Sequence, residues 1–419
     1  MIPFVHAPQS FIATRWMSRR GLSRVRFEAA QARALNRWLA RDLPKVAAYA
    51  QAPARLQDVP VMDKARLMGD FAAYNIARLS ADDVRQAIGR DSRIGGFTVG
   101  ASTGTSGNRG LFVISDAERF RWLGAILAKT MADLLWQPQR VAVLLPQGTD
   151  LYDAANRVQR LKLRFFDLHD GPEVWQPGLE TFDPTVIVAP PRVLRFLAQT
   201  DTRLTPRRVF SAAETLDPVD RPIIETRFGA PLEQIYMATE GLLATTCRRG
   251  KLHLAEDAVF FEFEPVGDGL VSPLITSFRR SVQIMARYRM NDLLRLDPAP
   301  CPCGSPLQAV RDVVGRMDDC FRLSAGAGAA MITPDVLRNA VLDADPQIED
   351  FRLIQTARDQ IELVLPPGLA DPVANAAKAS VDALLKRRGV TARLTARTDP
   401  LPLDVTRKLR RVECRLPNP

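Results

Sequence analysis

Short apolar runs alternate with helical segments in the middle of the chain, and this alternation restricts the fold more than any other feature. Three runs are typical of buried strands: RVAVLLPQG (140–148), TVIVAPP (185–191) and RRVFSAAETL (207–216). Four segments show helical spacing: residues 116–134, 150–161, 191–200 and 217–228. Strands that alternate with helices in this way predict an α/β sheet.

The pattern changes twice further along the chain. After about residue 245, apolar and polar residues alternate between Gly and Pro, which indicates antiparallel strands in a smaller, β-barrel-like part. From residue 316, two helical segments and three short strands follow one another, as in a compact α+β unit. We therefore predict a large N-terminal domain over residues 1–315 and a small α+β domain over residues 316–419.

The composition indicates an ordinary cytoplasmic protein. Of the 419 residues, 46% are hydrophobic, but no apolar run reaches the length of about 18 residues that predicts a membrane span. We expect no secretion signal, and the five cysteines form no disulfide framework, which indicates a reducing compartment. The net charge of +10 is not accompanied by a zinc-knuckle, RNP or helix-turn-helix pattern, so we expect no nucleic-acid partner.

The segment STGTSGNRG (102–110) is rich in Ser, Thr and Gly and lies between two probable strands. Gly lets backbone N–H groups converge on one point, and hydroxyl groups add donors, so such a loop can surround a phosphate. It is not a Walker A loop, because the Gly-Lys-Ser/Thr ending is absent. An ordinary hairpin loop has a similar composition, and the segment alone does not separate the two interpretations.

Three further motifs carry polar groups in apolar surroundings. In QIYMATEGLL (234–243), Tyr236 offers a ring for stacking on a base, and the carboxylate of Glu240 suits Mg²⁺. In ARYRMNDLLRL (286–296), Asp292 is placed either to accept hydrogen bonds from a ribose or to pair with Arg289 or Arg295. Near the end of the chain, PLPLDVTRKLRR (400–411) carries Lys408 in a basic segment.

In this order and at these spacings, the motifs resemble those of the adenylate-forming superfamily of acyl-CoA ligases. The resemblance covers most of the chain and is strongest to the branch of phenylacetate–CoA ligase, coenzyme F synthetase-like proteins and capsule-cluster adenylating proteins. It implies a large ATP- and acid-binding domain, a small mobile C-terminal lid, and an active site in the cleft between them.

The resemblance also implies a role for each matching residue. The residues implied to hold the ATP phosphates are Ser102, Thr103, Gly104, Thr105, Ser106 and Gly107, with Arg109 as a substitute cation. The residues implied to lie on the adenine side are Ser211, Ala212, Ala213, Glu214 and Tyr236. The remaining implied roles are α-phosphate contact for Thr239, Mg²⁺ binding for Glu240, ribose binding for Asp292 and Arg316, the hinge for Asp318, and the catalytic cation for Lys408.

The implied reaction is ATP-dependent activation of a carboxylic acid, an aromatic one in the related branch, to an acyl-AMP. Transfer to coenzyme A or to a carrier-protein thiol would follow. Two alternatives stay open: joining of AMP to a hydroxyl or an unusual acid without a thioester, and a degenerate nucleotide-binding protein. Met290 and Asn291 depart from the family motif and favour the last alternative, whereas Glu240, Asp292 and Lys408 oppose it. The sequence does not set the oligomeric state, and a homodimer is compatible with it.

Two tight pairs of metal-binding residues indicate a structural zinc site. Cys247 precedes His253 by six residues, and Cys301 and Cys303 form CPCG. Tetrahedral zinc takes two such pairs when turns bring them together. Reduced, half-buried thiols in a turn are the alternative.

Overall fold

The computed structural model describes residues 3–51, 53–88, 90–101, 110–146, 160–326, 328–402 and 408–417. Its helices are α1 His6–Met17, α2 Arg24–Arg41, α3 Lys64–Gly69, α4 Ala81–Ile88, α5 Asp116–Thr130, α6 Pro172–Phe182, α7 Pro191–Gln199, α8 Asp220–Phe228, α9 Pro334–Leu342 and α10 Asp371–Arg387.

The strands of the first half are β1 Arg93–Ile94, β2 Phe97–Ala101, β3 Leu111–Ser115, β4 Gln139–Leu145, β5 Leu161–Asp167, β6 Val186–Ala189, β7 Arg208–Ala212, β8 Leu232–Ala238, β9 Gly241–Thr246 and β10 Leu252–Leu254. Those of the second half are β11 Phe260–Gly267, β12 Leu270–Thr276, β13 Tyr288–Arg289, β14 Asp292–Leu296, β15 Ala309–Arg316, β16 Phe321–Ala325, β17 Gly328–Ile332, β18 Arg352–Ala357, β19 Gln360–Leu365, β20 Arg393–Thr398 and β21 Val412–Cys414.

The three apolar runs form neighbouring parallel strands, as predicted. Strands β5, β4, β6, β7 and β8 follow one another in this order, all parallel. Helices α6, α7 and α8 contribute to the apolar core on one face, and α5 contributes to the core on the other. Because helices cover both faces, β4, β6 and β7 are apolar at most of their positions. The α/β fold class is thus confirmed.

The antiparallel strands after residue 245 belong to the same sheet as the parallel strands. They extend the parallel strands into a single 12-stranded sheet, in the order β8-β9-β10-β15-β14-β12-β11, with β13 beside β12. Strand β14 lies four steps from β8, or about 19 Å in a flat sheet. Yet the hydroxyl of Tyr236 on β8 lies 2.5 Å from the carboxylate of Asp292 on β14. The sheet must therefore curve back on itself.

A small sheet holds the flanks of the Ser/Thr/Gly-rich segment. Strands β2 and β3 pair antiparallel, and their pairing ends with Ala101 opposite Leu111. The seven phosphate-loop residues named above, 102–107 and Arg109, lie outside the described residues. The described flanks show that this segment connects the two strands of a hairpin.

The C-terminal part of the chain has a sheet and a core of its own. Its four strands run in the order β20-β19-β18-β21. The core that α9 and α10 cover draws its buried residues from Phe321 to Val412 only. Within the described ranges, no helix is long and apolar enough to cross a bilayer.

Candidate active site

A cavity of about 2050 Å³ opens at the carboxyl ends of β7 and β8, where ligands of α/β proteins usually bind. The start of β14, the end of β15 and the residues before β21 complete its wall. The described site residues that line it are Ser211, Ala212, Ala213, Glu214, Tyr236, Thr239, Glu240, Asp292, Arg316, Asp318 and Lys408. The structure thus brings together every described residue that the sequence assigned to the active site.

The turn after β7 is strained and carries a buried carboxylate. Ala213 has a φ of 67°, a conformation that costs energy in any residue other than glycine. Glu214 follows it, and Arg192 Nε donates to its Oε1 over 2.8 Å. Burial nevertheless raises the pKa of Glu214 to about 7. The hydroxyl of Ser211 and Oε2 of Glu214 have no hydrogen-bond partner among the described residues, so both are available to a bound molecule.

Asp292 belongs to the site and not to a surface ion pair. Arg289 and Arg295, its alternative partners, pair with Glu264 and Asp335 instead. Asp292 accepts the hydrogen bond from Tyr236 described above, and burial raises its pKa. The ion-pair interpretation is therefore wrong.

The turn between β8 and β9 places a hydroxyl and a carboxylate in the cavity. A Cβ on Gly110, the first described residue after the Ser/Thr/Gly-rich segment, would lie 3.4 Å from Oγ1 of Thr239. This segment thus returns to the sheet next to Thr239. The hydroxyl of Tyr288 donates to Glu240, and burial raises the pKa of that carboxyl. A buried carboxylate of this kind fits a hard cation such as Mg²⁺.

Lys408 enters the same cavity from the C-terminal part of the chain. Desolvation lowers the pKa of its ammonium, while the nearby charges of Glu214 and Asp292 act in the opposite direction. Arg316 lies close enough to lower it further. The site therefore joins one cation from the end of the chain to two carboxylates of the large sheet.

The predicted hinge has a partner that the sequence did not indicate. Nδ2 of Asn291 donates to Asp318, and the N–H of Met317 donates to the carbonyl of Asn291 over 2.7 Å. Arg316 Nη2 also approaches Asp318 at 3.5 Å. Asn291, which departs from the family motif, thus ties the start of β14 to the segment after β15.

The sequence also did not indicate a buried ionic cluster around Arg411. Arg411 donates to Asp217 and, over 2.8 and 3.0 Å, to the two carboxylate oxygens of Asp220. Its Nε donates to Asp350 over 3.0 Å. Arg338 reaches Asp217 at 3.1 Å. Asp217 and Asp220 lie at or just before the start of α8, whereas Arg338, Asp350 and Arg411 belong to the C-terminal part. We call this cluster of five residues the latch, because it connects the two parts of the chain.

The four predicted metal ligands converge at one point. Donor atoms of Cys247, His253, Cys301 and Cys303 all lie within 4.8 Å of one another. Nδ1 of His253 lies 2.8 Å from the carbonyl oxygen of Leu307, so its other nitrogen, which faces Cys303 at 3.5 Å, is free to bind a metal. Backbone N–H groups donate to the sulfurs of Cys247 and Cys303, which suits thiolates. The arrangement fits tetrahedral zinc with four protein ligands.

The loop after Cys303 also supports the N-terminal helices. The N–H of Gly21 donates to the carbonyl of Gly304 over 3.2 Å. Arg24 donates to the carbonyl of Pro306 over 3.0 Å and pairs with Glu256 at 2.6 Å. The loop that follows Cys303 therefore anchors the junction of α1 and α2.

The chain aligns with solved structures of several ligases over most of its length. A 2-hydroxyisobutyryl-CoA ligase, in the postadenylation state in complex with 2-HIB-AMP, aligns over 94% of this chain and 91% of that chain, with a TM-score of 0.72 and 18% identity. The same enzyme in the thioesterification state, with 2-HIB-AMP and CoA, gives a TM-score of 0.56 over the same shares of both chains, at 19% identity. A benzoate CoA ligase from Burkholderia xenovorans LB400 aligns over 76% of this chain and 69% of that chain, with a TM-score of 0.52 and 15% identity.

Comparison of sequences gives a weaker result. Protein CapK of Staphylococcus aureus is 24% identical over 178 residues, which are 42% of this chain. The match spans 39% of the length of CapK. No protein-family model matches the chain. The structural alignments carry the conclusion: the chain has the fold of the adenylate-forming ligases, as the resemblance in its sequence predicted.

Proposed function

We propose that this protein is an ATP-dependent ligase that converts a carboxylic acid into an acyl-AMP and transfers the acyl group to a thiol. The observation that carries the proposal is the meeting of Lys408 with Glu214 and Asp292 in one cavity. These groups come from distant parts of the chain, and they meet at the carboxyl ends of β7 and β8, where ligands of α/β proteins usually bind. The acyl-AMP complexes of the solved relatives support the same reaction.

In this proposal the nucleotide lies along the carboxyl ends of β7 and β8. Tyr236 stacks on the adenine. The hydroxyl of Ser211 and Oε2 of Glu214, which have no hydrogen-bond partner among the described residues, contact the base. Asp292 and Arg316 bind the ribose. Because Tyr236 already donates to one oxygen of Asp292, the hydrogen bond orients this carboxylate before ATP arrives.

The carboxylate of the acid attacks the α-phosphate, and pyrophosphate leaves. This step brings two anions together, so positive charge aimed at the transition state accelerates it. Lys408 supplies that charge, and Thr239 donates its hydroxyl to the α-phosphate. Glu240 would hold Mg²⁺, which neutralises charge on the phosphates when bound. Ser102 to Gly107 and Arg109 would hold the outer phosphates.

The lid orientation supports the adenylation half of the reaction. The chain aligns better with the postadenylation state of the 2-hydroxyisobutyryl-CoA ligase than with its thioesterification state, by TM-scores of 0.72 and 0.56. Domain rotation about Asp318, at the proposed boundary between residues 315 and 316, would then admit the thiol. We propose coenzyme A as the acceptor, because several related ligases use it. We also propose the cytoplasm as its location, because ATP and coenzyme A are available there.

We further propose an aromatic acid as the substrate and the phenylacetate–CoA ligase branch as the family branch. Trp122 lines the cavity on the α5 side and offers an aromatic surface there. We also propose that Cys247, His253, Cys301 and Cys303 hold a structural zinc ion. All four positions of a tetrahedral ion are then filled by protein atoms, so the ion has no open position for catalysis.

Exchange of labelled pyrophosphate into ATP tests the proposal directly. The protein is incubated with ATP, Mg²⁺ and a panel of aromatic and fatty acids, and we expect exchange that depends on an acid. Exchange with a phenol only would identify an enzyme that joins AMP to a hydroxyl. Binding of ATP without exchange with any acid would identify a non-catalytic nucleotide-binding protein. The matched control is Lys386→Ala on the exposed end of α10, which should exchange like the wild type.

A further inference from the structure

Two buried polar groups in the cavity have no assigned role. The only hydrogen bond that the described residues give the guanidinium of Arg280 runs from Nη2 to the carbonyl oxygen of Thr239, over 3.1 Å. Its Nη1 is buried and has no partner among the described residues. The hydroxyl of Ser277, a residue only 4% exposed, is buried without a partner as well. Both residues line the cavity.

An unpaired guanidinium in a buried position lowers the stability of the folded protein. Burial disfavours its charge and lowers the pKa of Arg280. Within the described ranges, no carboxylate forms an ion pair with it, although Glu118 and Glu240 lie near enough to offset part of the cost. A protein keeps such a group where a ligand completes its hydrogen bonds, because elsewhere an apolar side chain is more stable.

Arg280 lies between Thr239, the proposed α-phosphate contact, and the α5 side of the cavity. Its charged neighbours are Glu118 at the start of α5 and Glu240, whereas the neighbours of Lys408 are Glu214 and Asp292. Its Nη2 lies 4.0 Å from the position of a Cβ on Gly241. The guanidinium thus packs over the backbone that follows Thr239, the proposed contact of the α-phosphate. A group bound there would extend from the reacting carboxylate away from the nucleotide.

The surrounding wall has a surplus of positive charge. On this side of the cavity, the described lining includes four cations, Arg121, Lys129, Arg279 and Arg280, and three carboxylates, Glu118, Glu240 and Asp257. Lys129 pairs with Asp257 at 2.7 Å, and Glu118 accepts from the backbone N–H groups of residues 281 and 282. One positive charge therefore remains when the three carboxylates are counted against the four cations.

We propose that Arg280 and Ser277 bind a second oxyanion on the acid substrate, so that the enzyme selects an acid with a second carboxylate or a comparable group. The inference rests on the proposed adenylation function and specifies its substrate class. One carboxylate reacts with ATP near Thr239 and Lys408. The other lies against the guanidinium and the hydroxyl on the α5 side, where Trp122 would flank an aromatic ring.

Matched pairs of acids test the proposal in the pyrophosphate exchange assay. The pairs are benzoate with isophthalate, phenylacetate with 3-carboxyphenylacetate, and butyrate with glutarate. For at least one pair, we expect the wild type to prefer the dianionic acid about 10- to 100-fold in kcat/KM, the size of one charge-assisted hydrogen bond. Arg280→Met should remove this preference by lowering kcat/KM for the dianion, and Arg280→Lys should restore part of it. Arg55→Met, which removes an exposed cation paired with Asp58, is the matched control and should keep the preference.

The outcomes separate this inference from the proposed function. Equal use of monoanionic and dianionic acids by the wild type would leave adenylation standing and overturn the role of Arg280. An increased KM for ATP with every acid in Arg280→Met would show that the guanidinium binds nucleotide phosphates, which also overturns it. No exchange with any acid, together with no binding of isophthalate by calorimetry, would reject both.

Thermal unfolding of the ligand-free protein gives a second readout. A structural arginine stabilises the protein, so its loss would lower the melting temperature. We expect the opposite for Arg280→Met, an unchanged or higher melting temperature, because the variant removes an unpaired buried charge. A clear fall in melting temperature would contradict the proposal.

Discussion

The latch connects the C-terminal part of the chain to the large sheet, and replacing Arg411 by Met should separate the two half-reactions. The guanidinium contacts Asp217, Asp220 and Asp350. Its side chain is 3% exposed, and that of Asp220 is 1% exposed. The substitution removes the cation that the three carboxylates share, although Asp217 keeps Arg338, Asp220 keeps Arg195 and Asp350 keeps Arg352. We therefore expect the lower end of the cost of breaking a buried ion pair, about 3 kcal/mol when the surroundings stay closed.

The lid can relieve this cost by opening, because water then reaches the carboxylates. The equilibrium between closed and open lids should therefore shift by about 3 kcal/mol, or about 100-fold toward the open form. Formation of acyl-AMP needs the closed lid with Lys408 in the cavity, so its single-turnover rate should fall by a comparable factor. Thioester formation from a synthetic acyl-AMP uses another lid orientation and should change less than threefold.

Both rates are measured on the same preparation by rapid quench, and lid opening is followed by energy transfer between dyes on the two parts of the chain. Arg415→Met is the matched control, because Arg415 is exposed and pairs with Glu413 within the C-terminal part. Adding Asp217→Asn to Arg411→Met should recover part of the loss, since it removes one of the carboxylates that lost Arg411 as a partner. An equal loss in both half-reactions, or a closed lid with a normal rate in a folded Arg411→Met protein, would refute the role of the latch.

Four further predictions concern the site and the metal cluster. Lys408→Ala should lower acyl-AMP formation about 10²–10³-fold and spare thioester formation from acyl-AMP; equal losses would contradict its role. Asp292→Ala should raise the KM for ATP about 10- to 100-fold, and an unchanged KM would reject the ribose contact. The pKa of Glu214 is about 7 in the folded protein and near 4.5 in the unfolded chain. Its contribution to the stability of the folded protein is therefore complete below pH 4.5 and is lost as the pH rises through 7. In thermal melts from pH 5 to 8, the wild type should therefore lose stability relative to Glu214→Gln, and parallel curves would contradict the shift. Metal analysis should find about one zinc per chain in the wild type and in Cys320→Ser but none in Cys301→Ser; a folded wild type without zinc would exclude the site.

The parallel half of the fold could be predicted from the sequence because burial on both faces leaves a local signal. Val141, Val186 and Val209 lie in runs that are apolar at nearly every position, and each run became a central strand. The antiparallel strands were predicted as strands, but their sheet was not. Alternation of polar and apolar residues indicates that one face of a strand is buried. It does not indicate which strand pairs with it or how strongly the sheet curves.

The candidate site, like the fold, could be predicted from the sequence only in part. Motifs with a fixed local spacing were brought together as expected, from Ser211 to Lys408. The partner of Asp292 could not be read from spacing, because two arginines lay three residues away on either side and the true partner, Tyr236, lay 56 residues before it. The contacts of Arg411 with Asp217 and Asp220 span 194 and 191 residues. A single charged residue in a basic segment carries no local sign that distinguishes it from its exposed neighbours.

The curvature of the large sheet has a consequence for how this protein can change during evolution. Ser211, Tyr236, Asp292 and Arg316 are all held by strands of one hydrogen-bonded sheet, so their mutual distances are fixed by backbone pairing. Among the described residues that the sequence assigned to the site, Lys408 comes from the segment before β21, outside that sheet. Under the proposed function, affinity for the nucleotide would thus be a property of a rigid frame, whereas the rate of the chemical step would depend on Lys408. Natural variation in the C-terminal part would then tune turnover while recognition of ATP stays constant.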